Sequence, residues 1–255
     1  MTEDKIQNHK IAAKKLEAIK DRAFELIKKN FGRISEYDVQ EFILSEYKKE
    51  GMVTLRSDKK YIAEKHPPQI VAVNENTANP HYFPPKRESK IIKKNDLILV
   101  DVWSRLKGEN SPFTDITWMA YSGEQVPKEI QETFDRVIKA RDTALEFIKS
   151  NLKRKKLPKT KDIDKITRDY FKRFGLDKYF IHMTGHSLGL HICHGKYFRL
   201  GRTSDARLRP DIPFTIEPGL YFKNKFGIRS EINCYVNKDY KLFVTTKVQR
   251  KIIKI

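Results

Sequence analysis

The chain has 255 residues, and 39% of them are hydrophobic, enough for a packed core, which excludes wholesale disorder. No stretch approaches the ~18 to 20 apolar residues of a membrane span, and the polar start MTEDKIQNHK lacks the apolar centre of a signal peptide. The net charge is +19, and two cysteines, Cys193 and Cys234, form no disulfide framework, which fits a cytoplasmic, reducing setting.

The first predicted element is a helix from about Ile11 to Phe31, where Leu16, Ile19, Ala23, Leu26 and Ile27 recur at helical spacing. A second helix follows Ser35, with Asp38 in capping-box position, and stops at Gly51. Strands then dominate. Asp96 to Trp103 and Asp115 to Tyr121 are strongly β-forming, and SRLKGENSP between them is a loop by composition. Pro127 opens a helix with Ile130, Phe134, Val137, Ile138, Leu145 and Ile148 on one face. After the basic run KRKKLPKTK, Thr160 to Phe174 reads as a shorter helix closed by Gly175. Strand-like segments return and end in Phe214 to Phe222 and Gly227 to Val236. The final LFVTTKVQRKIIKI is a closing strand or an extended tail. Element order suggests one catalytic domain over 1–255, with pseudo-repeat halves at about 10–122 and 127–255.

Each half ends in a strand pair that carries two acids. Asp101 and Asp115 are fourteen residues apart, and so are Glu217 and Glu231. All four sit in apolar, strand-like runs: LILVDVW, FTDITWM, FTIEPGLYF and GIRSEINCYV. A charge buried in a strand is costly unless compensated. Four converging carboxylates repel one another, and a pair of divalent cations turns that repulsion into attraction. His186, in TGHSLGLHICHG between the pairs, adds an imidazole ligand. The residues therefore read as a dinuclear metal site. Singly, Asp115 or Glu231 reads as an ordinary salt-bridge acid; the joint pattern outweighs that.

These segments resemble the M24 metallopeptidase superfamily of methionine aminopeptidases, aminopeptidase P and prolidases. NDLILVDVW and TDITW are similar to its two aspartate motifs, TGHSLGL to its histidine motif, and TIEPGLYF and GIRSE to its two glutamate motifs. The resemblance spans nearly the whole chain, with all five motifs in family order. It implies an α+β pita-bread fold, creatinase/aminopeptidase-like, with two pseudo-symmetric helix-helix-strand halves around a central antiparallel sheet. It also implies two divalent metal ions, manganese foremost and cobalt, iron or zinc as alternatives. Asp101 would chelate one ion, Asp115 and Glu231 would bridge both, and His186 and Glu217 would complete the second. The partner implied is a peptide with a free N-terminus.

Further roles come with the resemblance. His81, in NPHYFPP, matches the family histidine near the substrate's amino end. His182, four residues before His186, would hydrogen-bond substrate or a tetrahedral intermediate; the plainer reading is a packing residue. The family usually has a histidine seven residues after its metal histidine. Here that position is Cys193, with His194 one residue later and His191 two before. A one-residue bulge would return His194 to the site, and the choice among the three stays open. Arg229 would support the metal shell or the substrate; the alternative is a surface arginine at a hairpin end. Trp103, Trp118 and Tyr82 are pocket candidates or simple core.

PHYFP, HMTGH and the short step from EPGLYF to GIRSE resemble the Xaa-Pro peptidase branch, whereas overall length resembles the methionine aminopeptidases, since the N-terminal domain of typical aminopeptidase P is absent. The implied function is an aminopeptidase acting on Xaa-Pro termini. Methionine removal, another hydrolase or lyase reaction, and a non-catalytic nucleic-acid or protein binder on the same fold are the alternatives. The positive charge draws attention to nucleic acid, ribosome or anionic lipid. Lysines nonetheless occur in nearly every segment without an RNA-binding motif, as on a solvated surface. The oligomeric state is not readable.

Overall fold

The computed structural model describes residues 1–54, 69–108 and 110–255. Two helices open the chain, α1 (Glu3–Lys29) and α2 (Glu36–Lys49). In α1, Ala12, Leu16, Ile19, Ala23 and Ile27 form the buried stripe that its spacing predicts. The helix starts about two turns earlier than expected, and that first stretch buries Ile6 and His9. The capping box of α2 is present: the Ser35 hydroxyl accepts from the Asp38 N–H, and the Asp38 carboxylate accepts from the Ser35 N–H.

The first sheet contains β1 (Met52–Val53), β2 (Gln69–Val73), β3 (Leu97–Leu106) and β4 (Thr114–Tyr121). It is completed by a short strand at the C-terminal end of the chain. One face packs against α1 and α2 through Val71, Val100, Val102 and Ile116. Helices α3 (Lys128–Lys153) and α4 (Thr160–Lys172) lead into the second half. There the strands are β5 (Gly185–Leu188), β6 (His194–Leu200), β7 (Phe214–Ile216), β8 (Gly219–Phe222), β9 (Phe226–Arg229), β10 (Ile232–Val236) and β11 (Leu242–Val244). Strands β11, β10, β7, β5 and β6 form the second sheet, and β8–β9 is a separate hairpin. The last strand, β12 (Ile253–Lys254), returns to the first sheet.

Three expectations are corrected. The sheet system is mixed, because β12 runs parallel to β4, pairing Ile253 with Ala120. The predicted loop SRLKGENSP begins later, since Ser104, Arg105 and Leu106 continue β3 opposite β1 and β4; Glu109 lies outside the described residues, as do positions 55–68 of the strand-rich stretch after Gly51. The strand-like runs Phe214 to Phe222 and Gly227 to Val236 are each broken once. Their pairing keeps one register through the break: Ile216 faces Ile232 and Gly219 faces Arg229. The break falls at Glu217–Pro218 and Ser230–Glu231. Pro218 has no N–H to give the ladder. Each glutamate instead turns its backbone outward, with Glu217 N–H donating to Thr184 O at 2.8 Å and Glu231 N–H to Thr117 O at 3.4 Å.

Side chains splice the two halves along the outer edge of β4. The Asn233 carboxamide accepts from the Asp115 N–H at 2.9 Å and donates to Asp115 O at 2.5 Å. Gln249 does the same at Met119, accepting at 2.9 Å and donating at 2.7 Å. Each amide takes the place of a missing strand peptide, so buried backbone groups on this edge are met.

Candidate metal centre

Strand register puts the acids on one face. Asp101 pairs with Thr117 and Trp103 with Asp115, so these four side chains point to the same side of the β3–β4 pair. Glu217 and Glu231 face them from the interrupted hairpin. His186 stands in β5, beside a large irregularity. Between His186 and Leu188 the partner on β6 moves from Arg199 to His194, so two residues of β5 span five of β6. The Ser187 hydroxyl accepts from the Tyr197 and Phe198 N–H groups at 3.2 and 3.3 Å and fills this bulge.

The bulge brings both Cys193 and His194 to the site. Cys193 Sγ donates to Asp115 Oδ2 at 3.1 Å, and the His194 ring lies 4.0 Å from the His186 ring. His191 is exposed and does not line the cavity. Asp101, Asp115, His186, Glu217 and Glu231 all line one cavity of about 790 Å³, together with His81, His182, His194 and Arg229. Trp103 also lines it, whereas Trp118 packs on the far side under α1 and Tyr82 lies behind the wall.

Arg229 is 3% exposed, not a surface residue at a hairpin end. Its Nη2 donates to Asp101 Oδ2, its Nε to Thr117 Oγ1 at 3.0 Å and its Nη1 to the Tyr221 hydroxyl at 2.8 Å. Thr117 Oγ1 donates on to Glu231 Oε2 at 2.9 Å. One guanidinium therefore braces an acid from each half. Thr117, Thr215, Tyr221 and Asn233 were not singled out from sequence. Thr117 and Thr215 are findable by alternation, lying two residues from Asp115 and Glu217, and the Thr215 hydroxyl donates to Glu217 Oε1 at 2.9 Å; Tyr221 and Asn233 act through contacts further along the chain.

His182 is held firmly. Its Nδ1 donates to Met183 O at 2.8 Å, and its Nε2 accepts from the Tyr221 hydroxyl at 2.7 Å. Both nitrogens are engaged, so donation to a substrate from Nε2 requires a proton there as well as release of Tyr221. Burial, then the Arg229 charge, drops its pKa to about 3.

The donor set fits a cation. Asp101 Oδ1, Asp115 Oδ1 and Glu231 Oε1 are buried, and no hydrogen-bond donor among the described residues meets them. His186 Nδ1 donates to Ser187 O at 3.1 Å, which leaves the Nε2 lone pair facing Glu217 Oε1 at 3.2 Å and Asp115 Oδ2 at 3.7 Å. Lone pairs facing one another are repulsive unless a cation stands between them. Ligand atoms of Asp115, His186 and Glu231 all lie within 4.8 Å of one another. Burial, followed by neighbouring acids, pushes Asp115 and Glu231 well above the ordinary carboxylate range. Glu217 is raised too, mainly by burial. Burial lowers His186 to about 4, the neutral form that ligates metal; His194 falls to about 4, first through His186 and then through burial.

A family model, metallopeptidase family M24, matches residues 7–238. The chain belongs to this family. An uncharacterized peptidase of Staphylococcus epidermidis is 30% identical over 240 residues, which are 93% of this chain and 60% of that relative. A Xaa-Pro dipeptidase of Pyrococcus furiosus is 29% identical over 184 residues, 72% of this chain and 48% of that one. Among solved structures, a prolidase from Thermococcus sibiricus superposes with a TM-score of 0.80 at 27% identity, covering 100% of this chain and 62% of the other. The fold is thus the pita-bread fold of M24 peptidases, and the chain spans roughly half to two thirds of these relatives' length.

Proposed function

We propose that this M24 peptidase is a two-metal aminopeptidase that removes the residue preceding proline from peptides with a free N-terminus. The observation that carries the reading is the single cavity in which four acids and His186 converge beside His81, His182 and His194. Asp101 would hold one ion, Asp115 and Glu231 would bridge the pair, and His186 with Glu217 would hold the second. When bound, such ions polarise the scissile carbonyl and activate water; manganese is the leading choice, because oxygen-rich ligation with one imidazole suits it.

The chain's own residues supply the rest. A free N-terminal amine would sit close to the metal ions, so a blocked terminus should not be cut. Exposed His81 offers a hydrogen bond near that end. Arg229 keeps Asp101 and, through Thr117, Glu231 oriented. Cys193 and Cys234 are buried thiols outside any disulfide, which suits a reducing cytoplasm.

A second reading, a dipeptidase, draws on one residue and on the named dipeptidase among the relatives. Arg199 is exposed and lines the same cavity, where its guanidinium suits the C-terminal carboxylate of a dipeptide. The test assays the metal-reconstituted chain on Xaa-Pro, Xaa-Pro-Xaa and Met-Ala-Xaa, each with an acetylated control. Cleavage before proline in the tripeptide supports the aminopeptidase, and cleavage of the dipeptide alone supports the second reading. Removal of methionine without cleavage before proline overturns both.

A further inference from the structure

A fully buried acid lies outside the metal centre. Glu36 is the first residue of α2 and is 0% exposed. It is not needed as a cap, since Ser35 and Asp38 already cap that helix. Its carboxylate serves another segment. Oε1 accepts from the Val73 N–H at 2.7 Å and from Asn76 Nδ2 at 3.0 Å. Oε2 accepts from the Tyr82 hydroxyl at 2.6 Å and from Asn76 Nδ2 at 3.2 Å. Asn76 Nδ2 also donates to the Tyr82 oxygen at 3.0 Å. A buried carboxylate persists only where donors meet its lone pairs. Here these side-chain and backbone donors all come from the stretch between Val73 and Tyr82, with the helix N-terminus adding a favourable dipole.

The clamped stretch carries His81. Its other side is fastened to β9, where the Gly227 N–H donates to Thr77 Oγ1 at 2.7 Å and Arg229 Nη1 reaches Pro80 O at 3.4 Å. Gly227 must be glycine for this approach, because a Cβ there would lie 2.2 Å from Thr77 O. Held from both sides, His81 lines the cavity together with His182 and His194.

We propose that Glu36 is a positioning residue: through Asn76 and Tyr82 its carboxylate fixes the 74–83 loop so that His81 faces the metal ligands, a role that rests on the peptidase reading above. Substrate contact by His81 then depends on an acid on the opposite side of the loop. A carboxylate suits this task, since donors meet both of its oxygens, and an amide of the same size puts a donor NH2 where one of them stands.

The test uses the full chain loaded with zinc and the variants Glu36→Gln, Tyr82→Phe and His81→Ala. The first readout is the His81 imidazole resonance in the NMR spectrum, with His9 as the control. Glu36→Gln and Tyr82→Phe should both shift or broaden His81 and leave His9 in place, at unchanged metal content. An unmoved His81 resonance in both variants overturns the clamp whether or not the wild-type cuts peptides, which separates this failure from failure of the peptidase reading. The second readout is cleavage of an Xaa-Pro peptide. Glu36→Gln should lower kcat/KM about 10- to 100-fold, as displacement of a substrate-positioning group does. In a His81→Ala background, Glu36→Gln should add almost nothing, because both act at one contact. Multiplying effects would overturn the proposal, and Tyr82→Phe keeps it testable should Glu36→Gln fold poorly.

Discussion

The Cys193 thiol donates a hydrogen bond to Asp115 Oδ2 at 3.1 Å and leaves Asp115 Oδ1 to whatever enters the cavity. A partner behind a metal ligand fixes its orientation, and losing such a partner lowers metal affinity about 10- to 100-fold. Cys193→Ala should weaken metal binding toward that range in a chelator competition, and Cys193→Ser, which keeps a donor, should restore much of it. Equal affinity in all three proteins would show that the thiol only fills space. Asp115→Ala and Glu231→Ala are harsher, since each removes a proposed bridging ligand; metal content should fall and turnover vanish. At this scale the four acids were readable because a charge inside an apolar strand has few explanations. Cys193 and His194 were not separable, because their places follow from a bulge that the Ser187 hydroxyl supports, and no local pattern announces it. Arg229 was visible as a residue but not as a buried brace between Asp101 and Thr117.

Among the elements, the joint between β4 and β10 decides whether acids from the two halves meet. Asn233 supplies it with three hydrogen bonds: two with the Asp115 backbone and one from Thr114 Oγ1 at 2.8 Å. Removing that amide strands a buried N–H and C=O beside a metal ligand. Asn233→Ala should therefore destabilise the chain by about 2 to 4 kcal/mol, read as a lower denaturant midpoint at constant m-value. A midpoint within error of the wild-type would mean that the two sheets are joined by packing alone. Helix stripes, the Ser35 box and the main strand runs were legible, because each is set by neighbours a few residues away. The equal fourteen-residue intervals were more misleading. In the first hairpin Asp101 sits opposite Thr117, not Asp115. In the second, the register that pairs Ile216 with Ile232 brings Glu217 opposite Glu231. Equal spacing thus arises from unequal pairing.

For the whole molecule, the +19 charge is the feature with no place in the cavity. Lys153, Arg154, Lys155 and Lys156 are exposed where α3 ends, away from the cavity lining. Replacing all four with glutamine should leave hydrolysis of a short neutral peptide unchanged. Loss of a tight, salt-sensitive RNA complex in that variant would instead establish a second role for this end of the helix. His9 acts on the whole molecule differently, because it ties α1 to both halves. Its Nδ1 donates to Phe113 O at 2.9 Å, just before β4, and its Nε2 pairs with Thr245 Oγ1 at 2.8 Å, just after β11. Burial lowers its pKa from 6.5 to about 4, with the Lys10 charge pushing the same way and the Phe113 carbonyl opposing. A folded pKa below the unfolded one means that the unfolded chain takes up the proton first. The stability linked to His9 is therefore complete above pH 6.5, declines as pH falls, and is lost by about pH 4. The shift corresponds to about 3 kcal/mol at most. His9→Gln removes this titration but leaves those of His182, His186 and His194, so the difference between the two stability profiles isolates one imidazole. Wild-type and variant should converge as the solution is acidified from 6.5 to 4, with the wild-type ahead at neutral pH. Profiles that run parallel across that interval would mean that His9 titrates alike in the folded and unfolded chain, and that its burial contributes nothing to the acid sensitivity.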